Sequence, residues 1–261
     1  MTHPHSATAS LDGVILALAG LAVALYLGGV LISRGRRSWP VQRSVLWLAG
    51  TAAATASVVG PLADAAHEDF VAHMATHLLG GMIAPLLLVL AAPVTLALRT
   101  LAIVPARRVS RILRSRPARL ISHPVTALLL SAGGLWLIYL TPVFAAMRTD
   151  PLMHLIVHAH LLAAGALFTA AVIGIDPHPH RAGRPLLAAA IVAGSASHSI
   201  LAKYLFAHPP VGVSASAAAE GAQLMYYAGA TIEGVVILIF CAQWYRAAGR
   251  RLARTPSAVA V

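Results

Sequence analysis

Two pairs of histidines in this 261-residue sequence have a spacing that could hold a metal ion. His73 and His77 are four residues apart, as are His154 and His158, and each pair lies in or at the edge of a long apolar run. If those runs are helices, both members of a pair project from one helical face. Imidazole nitrogens ligate transition metals and also carry protons. The two pairs therefore predict metal or proton chemistry in an apolar environment.

The composition predicts a membrane protein. Hydrophobic residues make up 59% of the chain and charged residues 10%, which is too apolar for a soluble domain of this length. A membrane-spanning helix needs about 20 mainly apolar residues. We predict an all-α polytopic membrane protein in which residues 1–261 form a single bundle of seven spanning helices. The predicted spans are 11–32, 44–63, 71–97, 123–146, 152–174, 185–206 and 221–245.

The basic residues predict the orientation of this bundle. Nearly all of the 19 lysines and arginines fall on alternate connections between the predicted spans and in the C-terminal tail. Because cytoplasmic loops collect Lys and Arg, we expect the N-terminus outside and the C-terminus inside, with residues 246–261 as a basic cytoplasmic tail. The formal net charge of +11 then needs no nucleic-acid partner.

With that orientation, histidines from three predicted helices fall at one level in the outer half of the membrane. An imidazole inside a membrane is costly without a partner, and six at one depth favour a functional site over packing. Two methionines adjoin them, and a set of imidazole and thioether ligands suits Cu(I). The candidate metal ligands are His73, His77, His154, His158, His160, His198, Met74 and Met153.

Four further residues belong to the candidate site: Glu220, Met225, Glu233 and Lys203. Glu220 and Glu233 bracket the seventh predicted span, and Glu233 lies deeper, so we expect it to pair with Lys203 or with a histidine. His160 points some 200° around its helix from His158, and we expect it to support a ligand or to serve a second site.

Four blocks of the sequence carry a resemblance to a known family. They contain the motifs HMxxH, HPV, YLTPVF, HxxxHxH and GIDPxPxR in this order. The blocks are HMATHLLGGMIAPLLLVLAAPVTLALR, SHPVTALLLSAGGLWLIYLTPVF, MHLIVHAHLLAAGALFTAAVIGIDPHPHR and AGATIEGVVILIFCAQW. They resemble the CtaG-like cytochrome c oxidase assembly factors in their actinobacterial form, over nearly the whole chain after the second predicted span.

The resemblance implies a multi-pass protein of the bacterial plasma (inner) membrane that helps to mature the haem-copper oxidase. It implies copper, as Cu(I) or Cu(II), held by the six histidines, with oxidase subunit I or other copper chaperones as partners. The sequence departs from the family before the last span, where relatives read DQxxGG and this chain reads AAAEGAQLMYY. Gly221 and Met225 keep their places there, whereas the Asp-Gln pair is absent.

Two classes of function stay open on the residues themselves. The first is a non-enzymatic copper-handling assembly factor. The second is a transporter or membrane enzyme that uses the same histidines for protons, haem or another metal. The paired spacing favours a small ion, because a bis-histidine haem needs single ligands on facing helices around a large cavity. We expect no enzymatic activity, since no Ser-His-Asp set, phosphate loop or paired acids argue for hydrolysis or nucleotide use. Beside the lipid bilayer, a homodimer is compatible with small residues such as Gly80 and Gly81.

Overall fold

The computed structural model describes residues 4–35 and 38–252, and every regular element in those ranges is helical. We number the helices in chain order. They are α1 (Pro4–Arg34), α2 (Val41–Ala56), α3 (Pro61–Ala65), α4 (Phe70–Thr100), α5 (Ile103–Leu113), α6 (Arg116–Ile121), α7 (Pro124–Leu140), α8 (Val143–Thr149), α9 (Pro151–Ile173), α10 (Arg184–Ala207) and α11 (Ala215–Leu252).

The predicted all-α membrane architecture is confirmed. Within the described residues, six helical segments are long and apolar enough to cross a membrane, and α7 with α8 forms a seventh candidate. The span predicted at 123–146 is not one continuous helix, because α7 and α8 are bent by 77° relative to each other. The break lies at Thr141, which is extended and precedes Pro142. Proline disfavours helical geometry in the residue before it, which explains the position of the bend.

The connection between Arg99 and Arg119, predicted only as a basic loop, contains the two short helices α5 and α6. Helix α5 carries arginines together with the exposed apolar side chains of Ile103, Val104 and Ile112. Such a helix, both basic and apolar, is typical of the membrane interface.

The predicted basic tail is in part an extension of the last helix. Helix α11 continues through residues 246–252. At a rise of about 1.5 Å per residue it exceeds the roughly 30 Å of a bilayer core. Residues 253–261 lie outside the described residues, as do residues 1–3 and two arginines of the first connection, Arg36 and Arg37.

Local sequence explains where the two histidine-rich helices begin. Asp69 precedes α4 and its Oδ1 accepts a hydrogen bond of 2.8 Å from the backbone N–H of Val71. Asp150 precedes α9 and its Oδ1 accepts one of 2.8 Å from the N–H of Leu152. A carboxylate at this position satisfies amide groups that the first helical turn leaves unpaired.

Helix α4 is interrupted by a π-helical turn at Leu79–Ile83, which begins two residues after His77. This turn brings the carbonyl oxygen of Gly81 against α9, where a Cβ atom at Gly165 would overlap it. Only glycine at position 165 allows α4 and α9 to approach so closely. π-helical turns are frequent at functional sites, and this one adjoins the candidate ligands.

The orientation of the bundle stays a prediction and has a direct test. Reporter fusions after Arg114 and at the C-terminus should indicate the cytoplasm, and a fusion after Asp69 should indicate the exterior, because basic residues are retained on the cytoplasmic side. Alkaline phosphatase and a fluorescent protein, active on opposite sides, provide the two readouts. An exterior signal at Arg114 would overturn the orientation.

Candidate metal centre

Five of the six predicted histidines lie near one another where α4, α9 and α10 meet. We call them the histidine cluster. Its members are His73, His77, His154, His158 and His198, of which all but the half-buried His154 are buried. The sixth residue, His160, is exposed on α9, and its Nε2 lies 3.1 Å from the carbonyl oxygen of Leu130 on α7.

His73 and Met74 belong to a packed aromatic region of the cluster. The Nε2 atom of His73 is 3.0 Å from the hydroxyl of Tyr139, and that hydroxyl donates to the Met74 sulfur at 3.6 Å. The tyrosine has a single proton, so when it donates to Met74 the His73 Nε2 must carry the hydrogen shared with Tyr139. The His73 ring also packs against Phe70 and Phe144. Both predicted ligands therefore already have partners inside the protein.

His77 and His198 form a second group with an acid. Their ring centroids are 5.9 Å apart, and the Nδ1 atom of His198 lies 3.5 Å from Oε1 of Glu233. Glu233 was expected to pair with Lys203 or with a histidine, and its partner is His198. Lys203 is exposed instead, with its Nζ atom 5.3 Å from the ring centroid of Tyr226.

Four buried imidazole nitrogens in this cluster have no hydrogen-bond partner among the described residues. They are Nδ1 and Nε2 of His77, Nε2 of His158 and Nε2 of His198. A buried polar atom without a partner costs about 1–3 kcal/mol, and native proteins tolerate few of them. Nitrogens left free in this way have lone pairs or N–H groups available to a ligand.

His77 and His198 share a cavity of about 100 Å³ between α4, α7, α9, α10 and α11. Its wall also contains Glu233, Ser195 and Met82. This volume accommodates a small ion with a few waters. The cavity therefore favours a small ion over haem, as the spacing of the histidines does.

Met82 was not among the methionines predicted as ligands, and the structure explains why. It is five residues after His77, which on a regular α-helix places it about 140° around the axis. The π-helical turn between them is closed by hydrogen bonds over five residues, so residues five apart come to the same side. The regular helical period therefore did not select Met82 as a partner of His77.

His67 is a second residue that the prediction of ligands omitted. Its exposed ring lies 4.9 Å from that of His154, and the His154 ring lies 4.2 Å from that of His158, measured between centroids. The three rings form a continuous line from the surface to a buried nitrogen. The only sequence signal was the position of His67 in the polar stretch HEDF, just before α4.

The other predicted site residues lie around the cluster and not within it. Met153 is half-buried and Met225 fully buried in the apolar core beside Tyr139, whereas Glu220 is exposed. In the described part of the chain, no three His, Cys, Asp or Glu side chains are grouped so that they could hold one metal ion. A metal site here would have to combine two imidazoles with a ligand of another type.

Comparison with known proteins assigns the family. Residues 24–247 match the model of the cytochrome c oxidase caa3 assembly factors, Caa3_CtaG. The chain belongs to this family. The resemblance seen in the HMxxH and HxxxHxH blocks is thereby confirmed, and the chain is a multi-pass membrane protein of an oxidase assembly factor family.

Similar curated proteins are uncharacterized and longer than this family member. It is 37% identical over 180 residues to proteins of Mycobacterium bovis and Mycobacterium tuberculosis, an alignment that covers 66% of this chain and 27% of each relative. A protein of Mycobacterium leprae is 34% identical over 168 residues, covering 62% of this chain and 26% of that relative. The chain thus spans about a quarter of the length of these relatives. No solved structure matches it.

In this member of the family, the end of the bundle near the histidine cluster carries a polar pocket. The pocket measures about 130 Å³ and its wall includes His67, Glu68, Asp69, His73 and Arg148. Arg148 ties its rim together, because its Nε donates to the carbonyl oxygen of His67 at 3.2 Å and its Nη1 to that of Gly212 at 3.4 Å. We call this pocket the outer mouth, after the orientation predicted from the basic residues.

Proposed function

We propose that this assembly factor binds Cu(I) between His77 and His198, with Met82 as a third ligand, and supports insertion of copper into the oxidase. The observation that carries the proposal is the set of unpaired, buried imidazole nitrogens at the cavity. Imidazole with thioether is a donor set suited to Cu(I). The ring centroids of His77 and His198 are 5.9 Å apart. This separation allows one ion to lie about 2 Å from a nitrogen of each ring.

Glu233 has a positioning role in this proposal. Its carboxylate beside Nδ1 of His198 favours the tautomer with hydrogen on Nδ1, which leaves the lone pair of Nε2 for the metal. The carboxylate also accepts a hydrogen bond from the side chain of Ser195, which holds it in place. A negative charge near a bound cation contributes further, because the interior of a membrane bundle screens charges weakly.

The line of His67, His154 and His158 supports a route for copper from the outer mouth to the cavity. Glu68 and Asp69 at the mouth raise the local concentration of cations. The exposed ring of His67 is the first ligand on the route, and the unpaired Nε2 of His158 is the last before the cavity. Copper is the cargo of this protein, and oxidase subunit I or another copper chaperone is the partner that receives it.

Metal analysis of the protein purified under reducing conditions tests the proposal. We expect bound copper in the intact protein and a loss of about 10-fold or more in the double variant His77→Ala/His198→Ala. His160→Ala, which removes the exposed histidine, should retain copper. In the host, the double variant should not restore oxidase activity to a strain lacking this protein.

Three outcomes would contradict the proposal. Equal copper loss from His160→Ala would mean that copper binds adventitiously, and no copper in the intact protein would remove the basis of the proposal. A Soret absorption band in the purified protein would indicate haem, since Cu(I) gives no such band.

Glu233→Gln tests the positioning role. The amide keeps the size of the side chain and loses its charge, so copper affinity should fall by about 10-fold, as is usual when the partner of a metal-bound histidine is removed. Glu220→Gln removes the same charge from an exposed position of α11 and should leave affinity unchanged. Competition with a Cu(I) chelator of known affinity measures both. Equal affinities of the two variants would contradict the role of Glu233.

A further inference from the structure

Four arginines surround a pocket at the end of the bundle opposite the histidine cluster. Arg181 and Arg184 come from the connection before α10 and from its first residue, and Arg246 and Arg250 come from the last turns of α11. The pocket measures about 300 Å³, and Phe240 and Trp244 complete much of its wall. We call it the arginine pocket.

Two of its guanidinium groups are held in place by the protein. Arg181 Nη2 donates to the carbonyl oxygen of Ile173 at 3.1 Å and to Oε1 of Gln243 at 3.3 Å. Arg184 Nη1 donates to the carbonyl oxygen of Trp244 at 3.2 Å. Each uses only part of its five N–H donors in these bonds, so donors remain for a ligand. Because these arginine side chains are already ordered, ligand binding costs little additional side-chain entropy.

The backbone at Gly174 is adapted to this arrangement. Gly174 ends α9 in the left-handed region, with φ of 56°, and a Cβ atom there would come within 2.9 Å of Cζ of Arg181. Glycine is therefore required both for the turn and for the close approach of the guanidinium group.

The positive charge of the arginine pocket is not neutralised within the described residues. None of its four arginines makes an ion pair with a carboxylate there. Asp176, the acid closest to Arg181 in the sequence, instead accepts hydrogen bonds from Thr95 and from the backbone N–H of Val94. Burial lowers the pKa of Arg181, and the positive charge of the neighbouring Arg184 lowers it further because like charges repel. An anion between them would relieve this repulsion.

We propose that the arginine pocket binds the phosphate group of an anionic phospholipid. Arginine matches phosphate with two parallel N–H···O bonds, and basic pockets between spanning helices are sites for lipid headgroups. The pocket lies at the ends of three candidate spans, the level at which headgroups lie. Apolar side chains for the acyl chains are exposed nearby on the same helices, Leu186 on α10 and Leu238 with Tyr245 on α11.

A bound lipid would connect the helices that carry the copper site. The pocket joins the end of α9 to α10 and α11, which hold His158, His198 and Glu233 respectively. Occupancy of the pocket should therefore stabilise the packing of these three helices. The binding itself does not depend on whether the protein handles copper.

Native mass spectrometry of the full chain in neutral detergent tests the proposal. Phosphatidylglycerol should bind about 10-fold more tightly than zwitterionic phosphatidylcholine, and it should raise the temperature of thermal unfolding. Arg181→Gln/Arg184→Gln should weaken phosphatidylglycerol binding about 10-fold. The matched double variant Arg107→Gln/Arg108→Gln removes the same charge from exposed positions of α5 and should bind as the intact protein does.

Several results would contradict lipid binding at the arginine pocket. If both double variants weakened phosphatidylglycerol binding equally, or if the two lipids bound equally well, binding would not depend on the arginine pocket. Either result would overturn the proposal. Complete competition by millimolar inorganic phosphate would assign the pocket to a free phosphate compound and not to lipid. If the glutamine variant does not fold, Arg181→Lys/Arg184→Lys keeps the charge but not the paired N–H groups, and it should still bind several-fold more weakly. Unchanged binding of that variant would contradict the proposal.

Discussion

Replacing His77 with leucine is expected to abolish copper retention and at the same time to stabilise the metal-free protein. Both ring nitrogens of His77 are buried without a hydrogen-bond partner among the described residues. An apolar side chain of similar size removes that penalty, which is about 1–3 kcal/mol for a buried unpaired group. The same change removes one of the two imidazoles proposed to hold the ion. Opposite effects on stability and on binding are typical of residues kept for function.

Thermal unfolding in detergent after copper removal measures the stability, and metal analysis measures the copper. The control is His160→Leu, because His160 is exposed and already has Leu130 as a partner. It should keep its copper and gain no stability. If His77→Leu instead destabilises the metal-free protein, the His77 ring must have a structural role in the absence of the ion.

Gly229→Ala is expected to lower copper retention by about 10-fold or more. Mutations that remove the partner orienting a metal-bound histidine have effects of this size on metal affinity. Gly229 lies on α11 where it faces the ring of His198, and a Cβ atom there would overlap Cε1 of that ring and lie 3.0 Å from its Nδ1. Because the added methyl group is bonded directly to the backbone of a long helix and cannot move aside, the imidazole must move. Its movement breaks the contact with Glu233 and changes its distance from His77.

Gly234→Ala is the matched control, since it adds the same methyl group to the same helix. A Cβ atom at Gly234 would meet nothing within 4 Å. Alanine is a better helix former than glycine by up to about 1 kcal/mol, so this variant should be at least as stable as the intact protein and should retain its copper. Unchanged copper in Gly229→Ala would show that the position of His198 is not required for binding.

The fold class and the family could be read from the chain alone because both depend on local properties. Apolar runs of about 20 residues satisfy their backbone hydrogen bonds in lipid only as helices, so composition and length predict the spans. The bend between α7 and α8 was also encoded locally, at the Thr141–Pro142 step, although the predicted span at 123–146 ignored it. The side that faces the cytoplasm is predicted by the same kind of local signal and awaits its test.

The composition of the candidate site depended on contacts between distant segments. The two histidine pairs were correctly seen as shared faces of helices, but the partners of their members differ. His73 contacts Tyr139, 66 residues later, whereas His77 lies beside His198 of α10. Glu233 had two candidate partners in the sequence, and only the packing of α10 on α11 selects His198 over Lys203.

The sequence by itself determined which residue types lie within the membrane and near which end of the bundle, since depth follows from counting residues along a helix of known rise. The tertiary structure decided which of them meet. The π-helical turn in α4 brings Met82 to the side of His77, and glycines at positions 165 and 229 let neighbouring helices come close enough for the rings to share a cavity. Neither effect follows a regular period of 3.6 residues, because the first is a change of hydrogen bonding within α4 and the second depends on how neighbouring helices pack.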